Sequence, residues 1–396
     1  MEALVLYCRA GFETDAAAEA AEAARARGDA VRVSLGQGYA VLEVEARGGA
    51  GSVSAPGPRD LIFSRQVFRA TERLPLASAP DRVAALCEGA WRQARRLGLR
   101  GYSELFVEAP DSEGGRRLWP LCAALSGELR AALEGRGLLG PRSPGPRLHV
   151  FLSEDSTVLL GTSPAGGVSP WPMGIPRLRF PAGAPSRSAL KLEEALLAFV
   201  PEGERQARLR PGMRAVDLGA SPGGWAWVLA ARGIRVTAVD SGPLDRAVLE
   251  TGLVDHVRAD GFTWRPPRPV DWLVCDMVTA PARVAKLVGL WASRGLCREA
   301  VFNLKLPSAS RLGEVRRCAA VVVRELGRAG RGHVLRFKHL YHDRQEVTGH
   351  LRVEPAPRPG GGEKAQPARA RRPQEERHGR ARRGERRRPV PRDGRQ

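Results

Sequence analysis

From residue 214 onward the sequence alternates regularly between short apolar runs and helical patterns. The runs "RAVDLGA", "RVTAVD", "DHVRAD", "DWLVCD", "AVFNLKL", "HVLRFKHL" and "EVTGHLRV" read as strands. Strand–helix–strand connections lay successive strands parallel. This alternation constrains the fold more than any other feature. It predicts an α/β, doubly wound, mostly parallel seven-stranded sheet. The last two runs have no helix between them and are predicted to form an antiparallel edge hairpin.

The preceding half follows a different plan. "EALVLYCRA", "AVRVSL" and "YAVLEVEA" read as strands, and "DAAAEAAEAARARG" as a helix ending at Gly28. A Gly/Pro/Ser-rich joint, "RGGAGSVSAPGPRD", follows. Beyond it, "LIFSRQVFRATERL", "SELFVEAP", "RLHVFLSE" and "STVLLGTS" are predicted strands. "DRVAALCEGAWRQARRLG" and "GRRLWPLCAALSGELRAALEGRG" are predicted helices. The pattern is α+β, with no catalytic-looking cluster. A turn-rich passage near residue 165 marks the change to the regular half. After Glu354 large apolar side chains nearly vanish, so the tail is expected to be disordered.

Charge narrows the partner. Residues 354–396 hold 14 Lys/Arg against 6 Asp/Glu, so the tail supplies +8 of the formal +20 and the body keeps +12. Arg-rich codon bias in a GC-rich genome is one source of such an excess. A polyanionic partner is the other, because cations gain free energy by releasing phosphate counterions. The six cysteines form no CxxC pair, which argues against a zinc site or a disulfide framework. No run of eighteen apolar residues and no signal-peptide pattern occur, so the chain is expected to be soluble, cytoplasmic and unprocessed.

The loop "VDLGASPGGW" closes the first strand of the regular half. A dinucleotide fingerprint would read GxGxxG, but Ala220 stands where the second glycine belongs, and the preceding Asp217 would repel a pyrophosphate. An acid beside a closely approaching backbone suits a ligand with a cationic amino group and no phosphate. S-adenosylmethionine (SAM) is such a ligand. Its amino group would meet Asp217, its ribose Asp240 at the next strand end, and its adenine Asp260 after the third. A bare structural turn is the competing reading.

Further charges fall at strand ends on the same side: Asp276 in "LVCDMV" and Lys305 in "FNLKLP". Lys191 sits on a helix in "SRSALKLEEAL", and Glu346 begins the last strand. Separately, each has an ordinary reading: a solvated lysine, a helix-capping aspartate, an exposed cross-strand glutamate. In order and context the four resemble the K-D-K-E tetrad of the FtsJ-like ribose 2′-O-methyltransferases. "PRLRFPAGAPSRSALKLEEA", "VDLGASPGGW", "VCDMV", "FNLKLP" and "LYHDRQEVT" are similar to the bacterial 23S rRNA cytidine-2′-O-methyltransferases that carry an N-terminal THUMP domain. The likeness runs from "VLYCRAGFE" to about residue 353.

The resemblance implies a Rossmann-like SAM-dependent methyltransferase domain at 166–353. It also implies a ferredoxin-like part at 1–50, an RNA-binding THUMP domain at 51–165 and a basic tail at 354–396. Implied catalytic residues are Lys191, Asp276, Lys305 and Glu346. Implied SAM contacts are Ser188, Asp217, Gly219, Ala220, Pro222, Gly223, Gly224, Trp225, Asp240, Asp260 and Asp276. Arg177, Arg179 and Arg187, beside Lys191, are candidates for the RNA strand. The implied target is cytidine 2498 of 23S rRNA, modified before subunit assembly. No metal and no membrane are called for, and a monomer is expected.

A ribose hydroxyl must lose its proton as it attacks, and a lysine accepts one only when neutral. Lys305 is therefore assigned as base, with Lys191 lowering its pKa and meeting the oxyanion, Asp276 orienting it, and Glu346 positioning lysine or ribose. After "NLKLP" the family usually offers basic residues, whereas "SASR" leaves only Arg311, and the Arg-rich tail lies outside the resemblance. Two alternatives stay open: a 2′-O-methyltransferase of another RNA such as tRNA, and a non-catalytic RNA-binding ribosome assembly factor.

Overall fold

The computed structural model describes residues 2–45, 60–76, 82–140, 145–164 and 169–354. Most of the Gly/Pro/Ser-rich joint, the passage around residue 165 and the basic tail lie outside the described residues. The described residues belong to one compact unit.

The N-terminal half runs β1 (Ala3–Tyr7), α1 (Glu13–Arg25), β2 (Ala30–Gly36), β3 (Tyr39–Glu45), β4 (Gln66–Pro75), α2 (Arg82–Arg96), β5 (Glu104–Glu108), α3 (Glu113–Gly135), β6 (Arg147–Leu152) and β7 (Thr157–Ser163). One seven-stranded sheet, ordered β2-β3-β1-β4-β7-β6-β5, spans all of it. The stretches before and after the joint are thus welded by β1 pairing antiparallel with β4. α1 ends three residues before Gly28 (φ 88°), where the chain turns back toward β2.

The second half continues with α4 (Ala189–Phe199), α5 (Glu202–Arg208), β8 (Arg214–Leu218), α6 (Gly224–Ala230), β9 (Arg235–Val239), α7 (Arg246–Leu249) and β10 (Val254–Val257). It closes with β11 (Val270–Cys275), α8 (Pro281–Ser293), β12 (Cys297–Lys305), α9 (Arg311–Arg328), β13 (His333–Lys338) and β14 (Glu346–Val353). The sheet order is β10-β9-β8-β11-β12-β14-β13. β8 to β12 are parallel, while β14 is antiparallel to both β12 and β13. The hairpin does form, but β14 inserts into the sheet and β13 becomes the edge. That assignment suits the side chains: β14 is mostly buried, whereas β13 is mostly half-buried and mixes His333, Arg336 and Lys338 with its apolar residues.

Helices cover both faces. α8 and α9 bury Trp291, Val315, Val322 and Leu326 on one face, and α4 and α6 bury Leu192, Phe199, Trp225 and Leu229 on the other. α9 presents Leu312, Val315, Cys318, Val322 and Leu326, a helical spacing that makes one apolar stripe. The switch in strand order falls between β8 and β11, so the carboxyl ends of these strands open a crevice. Phe12 and Phe63 of the N-terminal half join the α8/α9 core, and Phe12 lies 4.0 Å from the His339 ring. No described helix is long and apolar enough to cross a membrane.

Candidate active site

The Gly-rich loop is shaped by close approaches. Gly219 (φ 75°) turns the chain off β8, and a Cβ there would meet the Met277 side chain at 2.4 Å. Gly223 (φ 111°) caps α6, and a Cβ there would press on Val248. Both conformations disfavour any residue with a side chain. Gly219 and Ala220 N–H groups turn toward the Val239 carbonyl, and Ser221–Pro222 is cis. A Cβ on Gly224 would fall on Ser186 and Ser188, so this glycine lets α6 pack beside the segment that leads into Lys191. Trp225 is buried, and its Nε1 donates to the Ser188 carbonyl at 3.0 Å, tying the same two elements together.

Asp217 is 1% exposed, and its Oδ2 has no hydrogen-bond partner among the described residues. Burial pushes its pKa up to about 8. The Ala226 N–H partly offsets this, while Asp276 and Asp240 add to it. A buried carboxyl in this condition is incomplete: ionising it is costly unless a cation arrives. The amino group of SAM is a fitting cation. Asp240 braces the rim instead, accepting from Ser221 N at 3.0 Å and Gly242 N at 2.7 Å. Asp260 is exposed and accepts from Phe262 N at 2.9 Å, in a turn after β10.

The second cluster closes into a ring. Lys305 Nζ contacts Asp276 Oδ1 at 2.7 Å and Glu346 Oε2 at 2.5 Å. Lys191 Nζ reaches the other oxygens of the same carboxylates, Asp276 Oδ2 at 3.3 Å and Glu346 Oε1. Four separate elements deliver these groups: α4, the end of β11, the end of β12 and the start of β14. Lys305 and Glu346 are register partners across the β12–β14 ladder. The ring corrects one electrostatic expectation. Burial pulls the Lys305 pKa down, but Asp276 and Glu346 outweigh it, so the pKa is raised rather than lowered by Lys191.

A supporting layer lies beneath, and the sequence did not reveal it. Asn303, fully buried two residues before Lys305, donates to Asp276 Oδ1 at 2.9 Å. Thr348, its register partner, donates to Asn303 Oδ1 at 2.8 Å, and its hydroxyl also lies 3.0 Å from Oδ2 of the buried Asp343. The turn before Glu346 is pinned from two sides. Glu194 of α4 accepts from Tyr341 N at 2.8 Å and His342 N at 2.9 Å, and pairs with His342 Nδ1 at 2.6 Å. Arg9, from the N-terminal half, donates to the Asp343 carbonyl at 3.1 Å. Glu194→Gln is expected to lower kcat about tenfold with SAM affinity unchanged, because two backbone donors lose a charged acceptor and Glu346 loses its setting. Unchanged single-turnover rates would remove the turn from catalysis.

The remaining candidates separate by environment. Arg177, Arg179 and Arg187 are exposed, and Arg177 stacks on Trp119 with its guanidinium carbon 4.8 Å from the ring. Phe180, beside them, is also exposed. Arg311 turns away from solvent: it pairs with Asp15 at 2.8 Å, donates to the Gly11 carbonyl at 3.0 Å and covers Phe12. It is a brace between the halves. His339 is buried against Phe12, and His342 belongs to the Glu194 turn, so both are structural. All six cysteines are free and buried, and no metal-binding cluster occurs among the described residues.

The chain is similar to known proteins over most of its length. Residues 184–306 match the family described as FtsJ-like methyltransferase, spanning Lys191 to Lys305. Residues 1–68 match the RlmM ferredoxin-like domain, and residues 81–164 the N-terminal domain of ribosomal RNA large subunit methyltransferase M. A ribosomal RNA large subunit methyltransferase M from Cellvibrio japonicus is 45% identical over 89% of this chain and 100% of its own length. One from Methylococcus capsulatus is 47% identical over 88% of this chain and 98% of its own. One from Aromatoleum aromaticum is 44% identical over 89% of this chain and 95% of its own.

Proposed function

The chain belongs to the ribosomal RNA large subunit methyltransferase M family, and from that premise we propose that it methylates a ribose 2′-hydroxyl of 23S rRNA. The target proposed is cytidine 2498, reached before subunit assembly. The observation that carries the reading is the closed ring of Lys191, Asp276, Lys305 and Glu346 at the carboxyl ends of the strands, beside the incomplete Asp217.

When bound, SAM, the cofactor of this enzyme class, supplies an electrophilic methyl group on a sulfonium. The side chains do the rest. Asp217 holds an amino group, Asp240 and the loop around Ala220 and Pro222 frame the crevice, and Asp260 stands at its outer rim. Ser188 and Trp225 hold the Lys191 segment against α6. Lys305 rests as an ammonium between two carboxylates. Asp276 is shared by both lysines, so any further positive charge it meets weakens its hold on Lys305. Lys191, on the far oxygen of the same carboxylate, eases that hold without reversing it, so the neutral amine at Lys305 forms by proton loss to solvent. Neutral Lys305 takes the hydroxyl proton, and Lys191 stays charged to meet the developing oxyanion. Glu346 fixes the spacing of the two nitrogens. The exposed Arg177, Arg179 and Arg187 are placed to hold RNA phosphates on the way to Lys191.

The test is mass-spectrometric mapping of ribose methylation on 23S rRNA, with and without this protein. A single cytidine methylated on protein-free 23S rRNA is the expected result. Transfer to free tRNA alone would shift the substrate, and no transfer to any RNA would leave an assembly factor.

A further inference from the structure

Between α4, β13 and the Ser169–Trp171 approach lies a cavity of about 390 Å³, separate from the ring and the Gly-rich loop. Arg65, Arg205, Arg336 and Lys338 reach its wall, against Glu194 and Glu202. Several of these charges are already engaged. Glu194 serves the Tyr341–His342 turn, Arg205 donates to the Val200 and Leu197 carbonyls, and Lys338 donates to the Leu61 and Ser64 carbonyls.

Arg65 and Arg336 are different. Arg65 is only 4% exposed, and its Nη1 meets Asp111 at 3.4 Å, but its Nε and Nη2 have no acceptor. Both nitrogens are closed off from solvent, so they leave an uncompensated buried charge behind the cavity wall rather than an open edge. Arg336 makes no ion pair or side-chain hydrogen bond among the described residues. Cations gathered without matching acceptors are costly, and an anion relieves them. The volume exceeds what a phosphate alone needs, and Trp171 and Pro176 give it an apolar wall. A phosphate joined to a flat, stackable body matches that chemistry.

We propose that this cavity binds one nucleotide of the RNA strand, its phosphate on Arg336 with the buried Arg65 charge behind it, and its base against Trp171. The assignment rests on the reading of RNA as the substrate. Its ligand chemistry is that of a nucleoside monophosphate, whether free or within a strand. Because Glu194 lines the cavity and also pins the turn that leads to Glu346, an occupant sits one residue away from the catalytic support.

Arg65 is buried and Arg65→Ala risks misfolding, so Arg336→Gln and Trp171→Leu carry the test. Full-length protein, saturated with S-adenosylhomocysteine to fill the cofactor site, is titrated calorimetrically with uridine monophosphate and separately with inorganic phosphate. One site is expected for the nucleotide, weakened at least tenfold by Arg336→Gln. Trp171→Leu is expected to weaken the nucleotide and leave phosphate unchanged. No nucleotide binding, or binding indifferent to both substitutions, overturns the subsite. In a second arm, affinity for a 23S rRNA fragment is followed against salt. Arg336→Gln is expected to reduce the logarithmic slope by about one. An unchanged slope overturns the strand assignment in favour of a free nucleotide. Methyl transfer by the wild-type protein is scored separately. Turnover without nucleotide binding sinks only the subsite, and nucleotide binding without turnover sinks only the proposed activity.

Discussion

Lys305→Ala is expected to slow methyl transfer by about 10³-fold, within the range of general-base contributions, while SAM affinity stays within a few-fold. The separation follows from the geometry. Among the described residues the Lys305 ammonium pairs with Asp276 and Glu346, whereas Asp217 and the Gly-rich loop are held by β8, α6 and the Val239 carbonyl. Asn303 still anchors Asp276 in the variant. The pH profile is the sharper readout. Because the Lys305 pKa is raised, the neutral amine is scarce near neutrality, and its fraction grows about tenfold per pH unit below that pKa. The wild-type single-turnover rate should therefore climb from pH 7 to 9 with near-unit slope. A flat wild-type profile, or substantial turnover by Lys305→Ala, would dismiss it as the base.

Asp217→Asn is expected to weaken SAM by about 10- to 100-fold, the worth of a hydrogen bond to a charged group. It should also make the unliganded protein more stable at pH 8, an unusual result for a site residue. The sign follows from the titration. An unfolded aspartate loses its proton near 3.9, whereas burial holds Asp217 protonated to about 8. Between those values the folded state binds the extra proton, so on this group's account stability falls as pH rises from about 4 to about 8. An amide cannot ionise and escapes that loss. In the wild type, a bound ammonium lowers the carboxyl pKa, so SAM binding releases a proton and tightens with pH. The gain ends as the ligand's own amino group begins to deprotonate near pH 7.7–8.0. Calorimetry in buffers of different ionisation enthalpy measures that proton directly. Unchanged SAM affinity in Asp217→Asn would take the residue out of the cofactor site.

The strands of the second half were legible because parallel strands buried on both faces must be apolar, and the acids that end them interrupt that run visibly. The four ring residues were legible through family resemblance and order. Other features depended on distances that no single sequence displays. Glu193 and Glu194 look alike in "KLEEA". Yet Glu193 pairs with Arg232, while Glu194, one helical step round, is buried and accepts from residues 147 and 148 positions onward. Asn303 and Thr348 read as ordinary strand polars until register makes them partners. Arg65 sits in "FSRQVFRATER", a predicted strand whose several arginines look alike in sequence, yet it is buried. The direction of the Lys305 shift is not legible in sequence, because chain order shows two lysines and two acids without saying which stand next to each other. The ring shows that two carboxylates stand between the lysines.

β14 runs against its neighbours, and this sets a limit on chain length. In the parallel part of the sheet every strand ends at the crevice. Only a reversed strand can begin there, as β14 does at Glu346. The turn at 339–345 therefore works as a ruler. Changed by one residue, it would have to bulge away from Glu194 and Arg9 or slip β14 by one place, and a slip would swing Glu346 and every other β14 side chain to the opposite face. Surface loops ordinarily tolerate insertion and deletion. Here a one-codon change that slipped the strand would break the ring and unseat buried Val347 and Leu351 together, so activity and stability would fall at once.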